Sequence, residues 1–167
     1  MQKKKLLVES KDINIRIAKD SNDFAEAKKI ILEYAGWLGI DLCFQNFDYE
    51  INNLQEMYSE PTGALILITL INKTIGVAGI RKFEDNDCEL KRMYVKDEYR
   101  GLGIGRQILE YAIELAKKMN YDKIKLDTHE SMQAAIKLYM GYGFREIPQY
   151  RYNPIEEVRF FELDLRD

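Results

Sequence analysis

Ile13, Ile15 and Ile17 alternate with Asn14 and Arg16, the period-two mark of a short strand. Spacings of three and four then take over. Phe24, Ala27, Ile30, Ile31, Tyr34 and Leu38 predict an amphipathic helix that Ser21 or Asp23 caps and Gly39 ends. Phe47, Ile51, Leu54 and Tyr58 recur in the same way and predict a second helix from about Asn46 to Tyr58, punctuated by Pro61-Thr62-Gly63. Ala64–Ile71 reads as a strand apolar on both faces. A two-residue turn at Asn72-Lys73 leads into Thr74–Phe83, and a turn at Asp85-Asn86-Asp87 leads into Cys88–Val95. Three strands joined this tightly form an antiparallel meander.

Arg100 to Gly105 breaks the pattern with glycines, and a strong helix follows to about Met119. Ile108, Leu109, Ala112, Ile113, Leu115, Ala116 and Met119 face inward on it, and Asn120 is a left-handed cap. Lys123–Thr128 is a strand with Ile124, Leu126 and Thr128 on one face. Ser131 caps a helix to about Tyr142, which Gly143 stops. Phe144–Ile147 and Glu157–Leu165 close the chain as strands, joined by a loop containing Pro148 and Pro154. The order β-α-α-β-β-β-α-β-α-β-β, without repeat or linker, predicts a single α+β domain over residues 1–167 built on a mixed sheet.

The 167 residues suffice for one hydrophobic core without staples. With 25 basic against 28 acidic residues the net charge is -3, which argues against a nucleic-acid binder. The apolar run after Lys3–Lys5 is too short for a secretory signal, and no run approaches the roughly 20 residues of a spanning helix, so a cytoplasmic, membrane-free protein is expected. Cys43 and Cys88 fit reduced thiols there. With a single His and no zinc-like spacing, no metal site is expected.

The glycine stretch carries the chemistry. Arg100-Gly101-Leu102-Gly103-Ile104-Gly105 joins a strand to a helix, so its backbone can approach a bulky anion and aim N–H groups at it. The helix N-terminus favours the same charge, and Arg100 and Arg106 add their own. The mononucleotide P-loop requires Lys and then Ser/Thr after the last glycine, but Arg106-Gln107 stand there. The dinucleotide fingerprint requires Gly-x-Gly-x-x-Gly, and the spacing here is Gly-x-Gly-x-Gly. A pyrophosphate cradle of another kind, or a plain glycine turn, is left.

At this point the chain resembles the GNAT superfamily of acetyl-CoA-dependent N-acetyltransferases. A strand ending in Met93-Tyr94-Val95, a short link, and then Arg-x-x-Gly-x-Gly opening a helix is the superfamily's signature, and Arg100, Gly103 and Gly105 fill its fixed positions. Ala135-Ile136-Lys137-Leu138-Tyr139-Met140-Gly141-Tyr142-Gly143-Phe144 resembles a second segment, Ala-x-x-Leu-Tyr-x-x-x-Gly-Phe. The resemblance covers roughly residues 12–165. It implies that Cys88–Val95 and Lys123–Thr128 are parallel neighbours that splay apart around acetyl-CoA. The main chain of Met93 and Val95 would pair with the pantetheine arm. The pyrophosphate would rest on Arg100, Gly101, Leu102, Gly103, Ile104, Gly105 and Arg106. Tyr94 and Ser131 complete the expected cofactor contacts, although the superfamily often has Asn where Ser131 stands.

Transfer of an acetyl group to an amine needs a base for the ammonium, a donor for the thioester oxygen and an acid for the departing thiolate. The resemblance implies Glu89 as the base, six residues before Val95, and an even spacing would put it on the sheet face of Met93 and Val95. It implies Tyr139 as the acid and the main-chain N–H near Met93 as the oxyanion donor. His129 near the splay is a minor candidate for proton transfer. Cys88 is expected to face away from Glu89. Arg81 and Arg92 either hold a substrate carboxylate or pair with nearby acids. Trp37, Phe44, Phe47 and Tyr49 would roof the acceptor site, with Tyr150-Arg151-Tyr152-Asn153-Pro154 as another wall. The acids Glu84, Asp85, Asp87 and Glu89 hint at a cationic substrate. The expected activity is acetyl transfer from acetyl-CoA to a primary amine, small or peptide-borne, by a monomer or homodimer. A non-catalytic acyl-CoA sensor and a transferase for longer acyl chains are the alternatives on the same fold.

Overall fold

A computed structural model describes residues 12–43 and 46–166. Lys3–Lys5 and Phe44 lie outside these. The chain runs β1 (Ile13–Ile17), α1 (Ser21–Leu38), α2 (Phe47–Asn52), α3 (Leu54–Met57), β2 (Ala64–Leu70), β3 (Lys73–Lys82), β4 (Asp87–Val95), α4 (Ile104–Lys118), β5 (Lys123–His129), α5 (Gln133–Gly141), β6 (Arg145–Ile147) and β7 (Val158–Asp164), with a short 3-10 turn at Asp97–Tyr99. The strands make one seven-stranded sheet in the order β1-β2-β3-β4-β5-β7-β6. Among the described residues only β4 and β5 pair in parallel; the other neighbours are antiparallel. This is the mixed α+β sheet expected, with the meander β2-β3-β4 at its centre.

Both faces of the sheet are covered, which is why β2 reads as continuously apolar. Ala64, Ile66, Ile68 and Leu70 point into the larger core, shared with Ile108, Leu109, Ala112 and Ala116 of α4 and with Ile136 and Tyr139 of α5. Leu65 and Leu67 point the other way, into a second core with Phe24, Ala27, Ile30 and Ile31 of α1 and Leu54 and Tyr58 from the α2–α3 region. At Gly79 of β3 that second layer comes close to the sheet. A Cβ there would lie 2.5 Å from Cε1 of Tyr58, so the ring packs directly on the glycine backbone.

Several boundaries differ from the expectation for local reasons. Asp20 caps α1, its carboxylate accepting the Asp23 N–H at 2.9 Å. Asp23 is instead bound by Arg16 at 2.6 and 2.7 Å. The expected second helix breaks in two at Asn53, whose side-chain amide donates to the Tyr49 carbonyl at 2.8 Å while Asn52 donates to the Asp48 carbonyl at 2.9 Å. Asparagines that bond back to the preceding turn compete with the helix ladder. The β2–β3 turn uses Ile71 and Asn72, both at positive φ (46° and 63°), rather than Asn72-Lys73, because Leu70 pairs with Lys73. Ser131 does not cap α5. Met132 occupies that position without a side-chain hydrogen bond.

One irregularity changes the chemistry. Val77 pairs with Tyr94 but Gly79 pairs with Lys91, so Arg92 and Met93 together oppose Ala78. Arg92 takes φ 55°, and the strand bulges there. A bulge inverts side-chain parity beyond it. Cys88 and Leu90 before it, and Met93 and Val95 after it, face the α4–α5 core, whereas Tyr94 joins the α1 core. Glu89 is therefore on the opposite face from Met93 and Val95, and the even-spacing expectation fails at Arg92.

Candidate active site

The parallel pairing of β4 with β5 covers only Asp87 with Lys123, Cys88 with Ile124 and Glu89 with Lys125. Beyond Glu89 the strands separate. The Lys96 N–H donates to the Ile75 carbonyl at 2.9 Å. Alternation along an antiparallel ladder then turns the main-chain groups of Met93 and Val95 away from β3 and into the gap. An extended amide-bearing chain can pair there as an added strand would.

The glycine turn closes one end of the gap. Gly101 and Gly103 take φ 79° and 76°, and a Cβ at either would meet open space. The requirement for glycine is conformational: a left-handed residue with a side chain costs about 1–2 kcal/mol. Among the described residues, the backbone N–H groups of 101–106 make no hydrogen bond to a protein acceptor within 3.5 Å and at 120° or more, while the Gln107 N–H donates to the Gly103 carbonyl at 3.3 Å. These free donors sit on the N-terminus of α4 and suit a pyrophosphate.

The two arginines are engaged elsewhere. Arg100 donates to the Val95 carbonyl at 3.1 Å, pairs with Asp97 at 2.6 Å and stacks 4.3 Å over the Trp37 ring. It ties the turn to β4 and α1. Arg106 is exposed and donates to the Tyr142 hydroxyl at 2.8 Å, which in turn bonds Glu110.

A cavity of about 150 Å³ opens through the gap. Its walls are Leu90–Met93 of β4, Leu126–His129 of β5, Met132 just before α5, Ala135 and Tyr139 of α5, Tyr34 and Leu38 of α1, Ile40 and Leu42 beyond α1, and Asn153, Ile155 and Val158 near the C-terminus. Tyr139 is 7% exposed, its hydroxyl 4.0 Å from Sδ of Met93. Burial raises its pKa, so it stays a hydroxyl and a donor. Of the expected roof, Trp37 packs on Tyr34 and Tyr94, and Phe47 lies 5.1 Å from the Arg92 guanidinium. Tyr49 is exposed. Of the expected C-terminal wall, Asn153 lines the cavity.

Glu89 does not line it. Its carboxylate is 1% exposed and is held by Arg151 at 2.7 and 2.8 Å, by the Tyr150 hydroxyl at 2.9 Å and by Arg81 at 3.4 Å. The cationic neighbours Lys91, Arg151 and Arg81 outweigh burial and keep the carboxyl below its ordinary pKa. A carboxylate so tightly held is a poor proton acceptor; the geometry makes it an anchor for the segment around Tyr150 and Arg151. Arg81 is thereby paired rather than free for substrate. Arg92 is likewise paired, with Glu50 at 2.7 and 2.9 Å, and Tyr58 donates to the same carboxylate at 2.8 Å.

His129 lies at the cavity wall. Its Nδ1 accepts from the Ser131 N–H at 3.1 Å and faces the Ser131 hydroxyl at 2.8 Å. Ser131 is thus turned to His129 and away from the gap. Cys88 is buried in the α4–α5 core, away from Glu89 as expected, and burial pushes its thiol up to about 12.

Two charged cavity residues have no role in the sequence pattern described above: Lys91 and Asp127. Their signal was present. Lys125 and Asp127 alternate with Ile124 and Leu126 on β5, placing charge on the second face of a strand in the middle of the sheet. The Glu50–Arg92 pair joins residues 42 apart in sequence and leaves no such local signal.

The sequence profile of the Acetyltransferase (GNAT) family matches residues 32–144. An uncharacterised N-acetyltransferase of Schizosaccharomyces pombe is 31% identical over 161 residues, covering 95% of this chain and 99% of that protein. The N-acetylaspartate synthetase of Danio rerio is 29% identical over 147 residues, 82% of this chain but 49% of that protein. Among solved structures, a GNAT-family acetyltransferase of Staphylococcus aureus superposes with a TM-score of 0.76 at 27% identity, over 92% of this chain and 99% of that one. The chain belongs to the GNAT acetyltransferase family and is an enzyme of the acyltransferase class. Among the described residues no helix is long and apolar enough to cross a membrane.

Proposed function

We propose that the protein moves an acetyl group from acetyl-CoA to a primary amine by direct attack in a ternary complex. The observation that carries this is the continuity of three features: free N–H groups at 101–106, the main-chain groups of Met93 and Val95 facing the gap, and a cavity at the end of the gap lined by Tyr139. In this reading Arg100, Gly101, Leu102, Gly103, Ile104, Gly105 and Arg106 form the pyrophosphate turn. Arg100 braces it through Val95 and Trp37. Tyr94 packs beneath, and Ser131 acts on the site through His129.

The amine nitrogen forms its bond to the thioester carbon, the oxygen charge is met by the N–H near Met93, and the carbon–sulfur bond breaks with its electron pair on sulfur. The Tyr139 hydroxyl donates a hydrogen bond to that sulfur. The proton the amine loses goes to a carboxylate in the cavity, and Asp127 is the one placed there; Glu89 serves by positioning. The free thiols Cys43 and Cys88 suit a cytoplasmic setting.

Release of coenzyme thiol from acetyl-CoA, measured over a panel of amines, tests the reading. Amine-dependent release with matching formation of the acetamide is expected. Tight coenzyme binding with no release for any amine would refute it in favour of a sensor.

A further inference from the structure

Lys91 lines the cavity while only 4% exposed, and among the described residues its ammonium has no hydrogen-bond or ion-pair partner within 4.0 Å. A buried cation normally has a paired anion, because removal from water is costly otherwise. The nearest anions are accounted for. Glu89 is committed to Arg151, Tyr150 and Arg81. Asp127 lines the same cavity, and among the described residues its carboxylate accepts a hydrogen bond only from the Asn153 side-chain amide, at 3.2 Å.

The ladder explains why Lys91 and Asp127 do not meet. Glu89 and Lys125 are the last register pair between β4 and β5. Lys91 and Asp127 are two residues further along, on the same face, on strands that have already parted. The splay that admits the acyl donor also keeps one positive and one negative group apart across the cavity. The other charged wall residue, Arg92, is neutralised by Glu50. What remains is a two-pole site with apolar flanks from Leu38, Ile40 and Ile155.

We infer that the acceptor is a free amino acid, its carboxylate bound by the Lys91 ammonium and its amino group held by Asp127. A zwitterion supplies the anion that Lys91 lacks and the cation that Asp127 lacks, and it sets the amine on the β5 side, across the gap from the strand that lines the acyl donor. Arginine and lysine acceptors lacking a free carboxylate, and peptide N-termini, supply only one of the two charges. This inference rests on the acetyltransferase reading and names its substrate class.

The test compares each of the common amino acids with its carboxamide and with the amine lacking the carboxyl carbon, using thiol release from acetyl-CoA. For the best acceptor, the wild-type enzyme should show kcat/KM lower by roughly 10²-fold for the carboxamide, the order expected when a charged hydrogen-bonding partner is lost. In Lys91→Met that ratio should collapse towards one, chiefly through KM for the amino acid. Lys91→Arg should restore part of it. Equal turnover of amino acids and their carboxamides by the wild type, or a ratio that survives Lys91→Met in a protein whose thermal unfolding remains cooperative, would overturn the inference and leave the acetyltransferase reading standing. Absence of thiol release with every amine would overturn that reading, and the inference with it.

Discussion

Replacing Glu50 by Ala probes the device that turns Met93 into the gap. Arg92 sits at the bulge with φ 55°, its guanidinium 4% exposed and held by two charge-assisted bonds to Glu50 at 2.7 and 2.9 Å. Removing the carboxylate leaves that cation buried and unpaired, which costs about 3–5 kcal/mol. Tyr58 loses its acceptor as well, but through the same oxygen, so its share is contained in that figure. At about 2–4 °C per kcal/mol for a chain of this length, the midpoint of thermal unfolding should fall by about 6–20 °C. Because Arg92 fixes the parity of β4, the KM for acetyl-CoA should rise in the same variant at temperatures where it is folded. Substituting Leu at both Glu50 and Arg92 removes the stranded charge and should recover most of the lost stability. Differential scanning calorimetry with steady-state kinetics measures both. A Glu50→Ala loss below about 1 kcal/mol, or a double variant less stable than Glu50→Ala, would refute the reasoning.

Gly79→Ala should destabilise by about 1–3 kcal/mol in denaturant titration, because the new Cβ would stand 2.5 Å from the Tyr58 ring; an unchanged midpoint would show that the ring moves freely. Tyr139→Phe should lower kcat by roughly 10²-fold with little change in the KM for acetyl-CoA, and equal kcat values would remove the acid from the scheme. Burial lowers the Lys91 pKa from 10.5 to about 8, so the unfolded chain binds more protons between those values. Stability contributed through Lys91 therefore rises across that window, by about 3 kcal/mol in all, and its full cost is present below pH 8. Lys91→Met should accordingly be the more stable protein at pH 7, with the difference from wild type shrinking toward pH 10; a difference that does not vary with pH would contradict the assignment.

Local pattern carried most of the fold. Strands whose faces are both buried, such as β2, announce themselves by unbroken apolar runs, and α4 by its regular stripe. The glycine turn was legible because its chemistry is contiguous in sequence. What the residues could not reveal depended on registry. A single extra residue at Arg92 moves Glu89 to the other face, and no one-dimensional spacing contains that bulge. Asp127 and Lys91 acquire meaning only once β4 and β5 are known to part after Glu89. Arg151 sits 62 residues from Glu89, and its grip on that carboxylate leaves no local signal in the sequence. Helix ends failed where side chains bond locally, as at Asp20, Asn53 and Ser131.

Backbone amide hydrogen exchange, followed residue by residue with and without saturating acetyl-CoA, tests the central claim most directly. Acetyl-CoA should slow exchange at Met93 and Val95 and across 101–106, where N–H groups otherwise face solvent or the gap. Protection confined to other segments, or none at saturation, would contradict the assignment of the splayed strands and the glycine turn as the acyl-donor site.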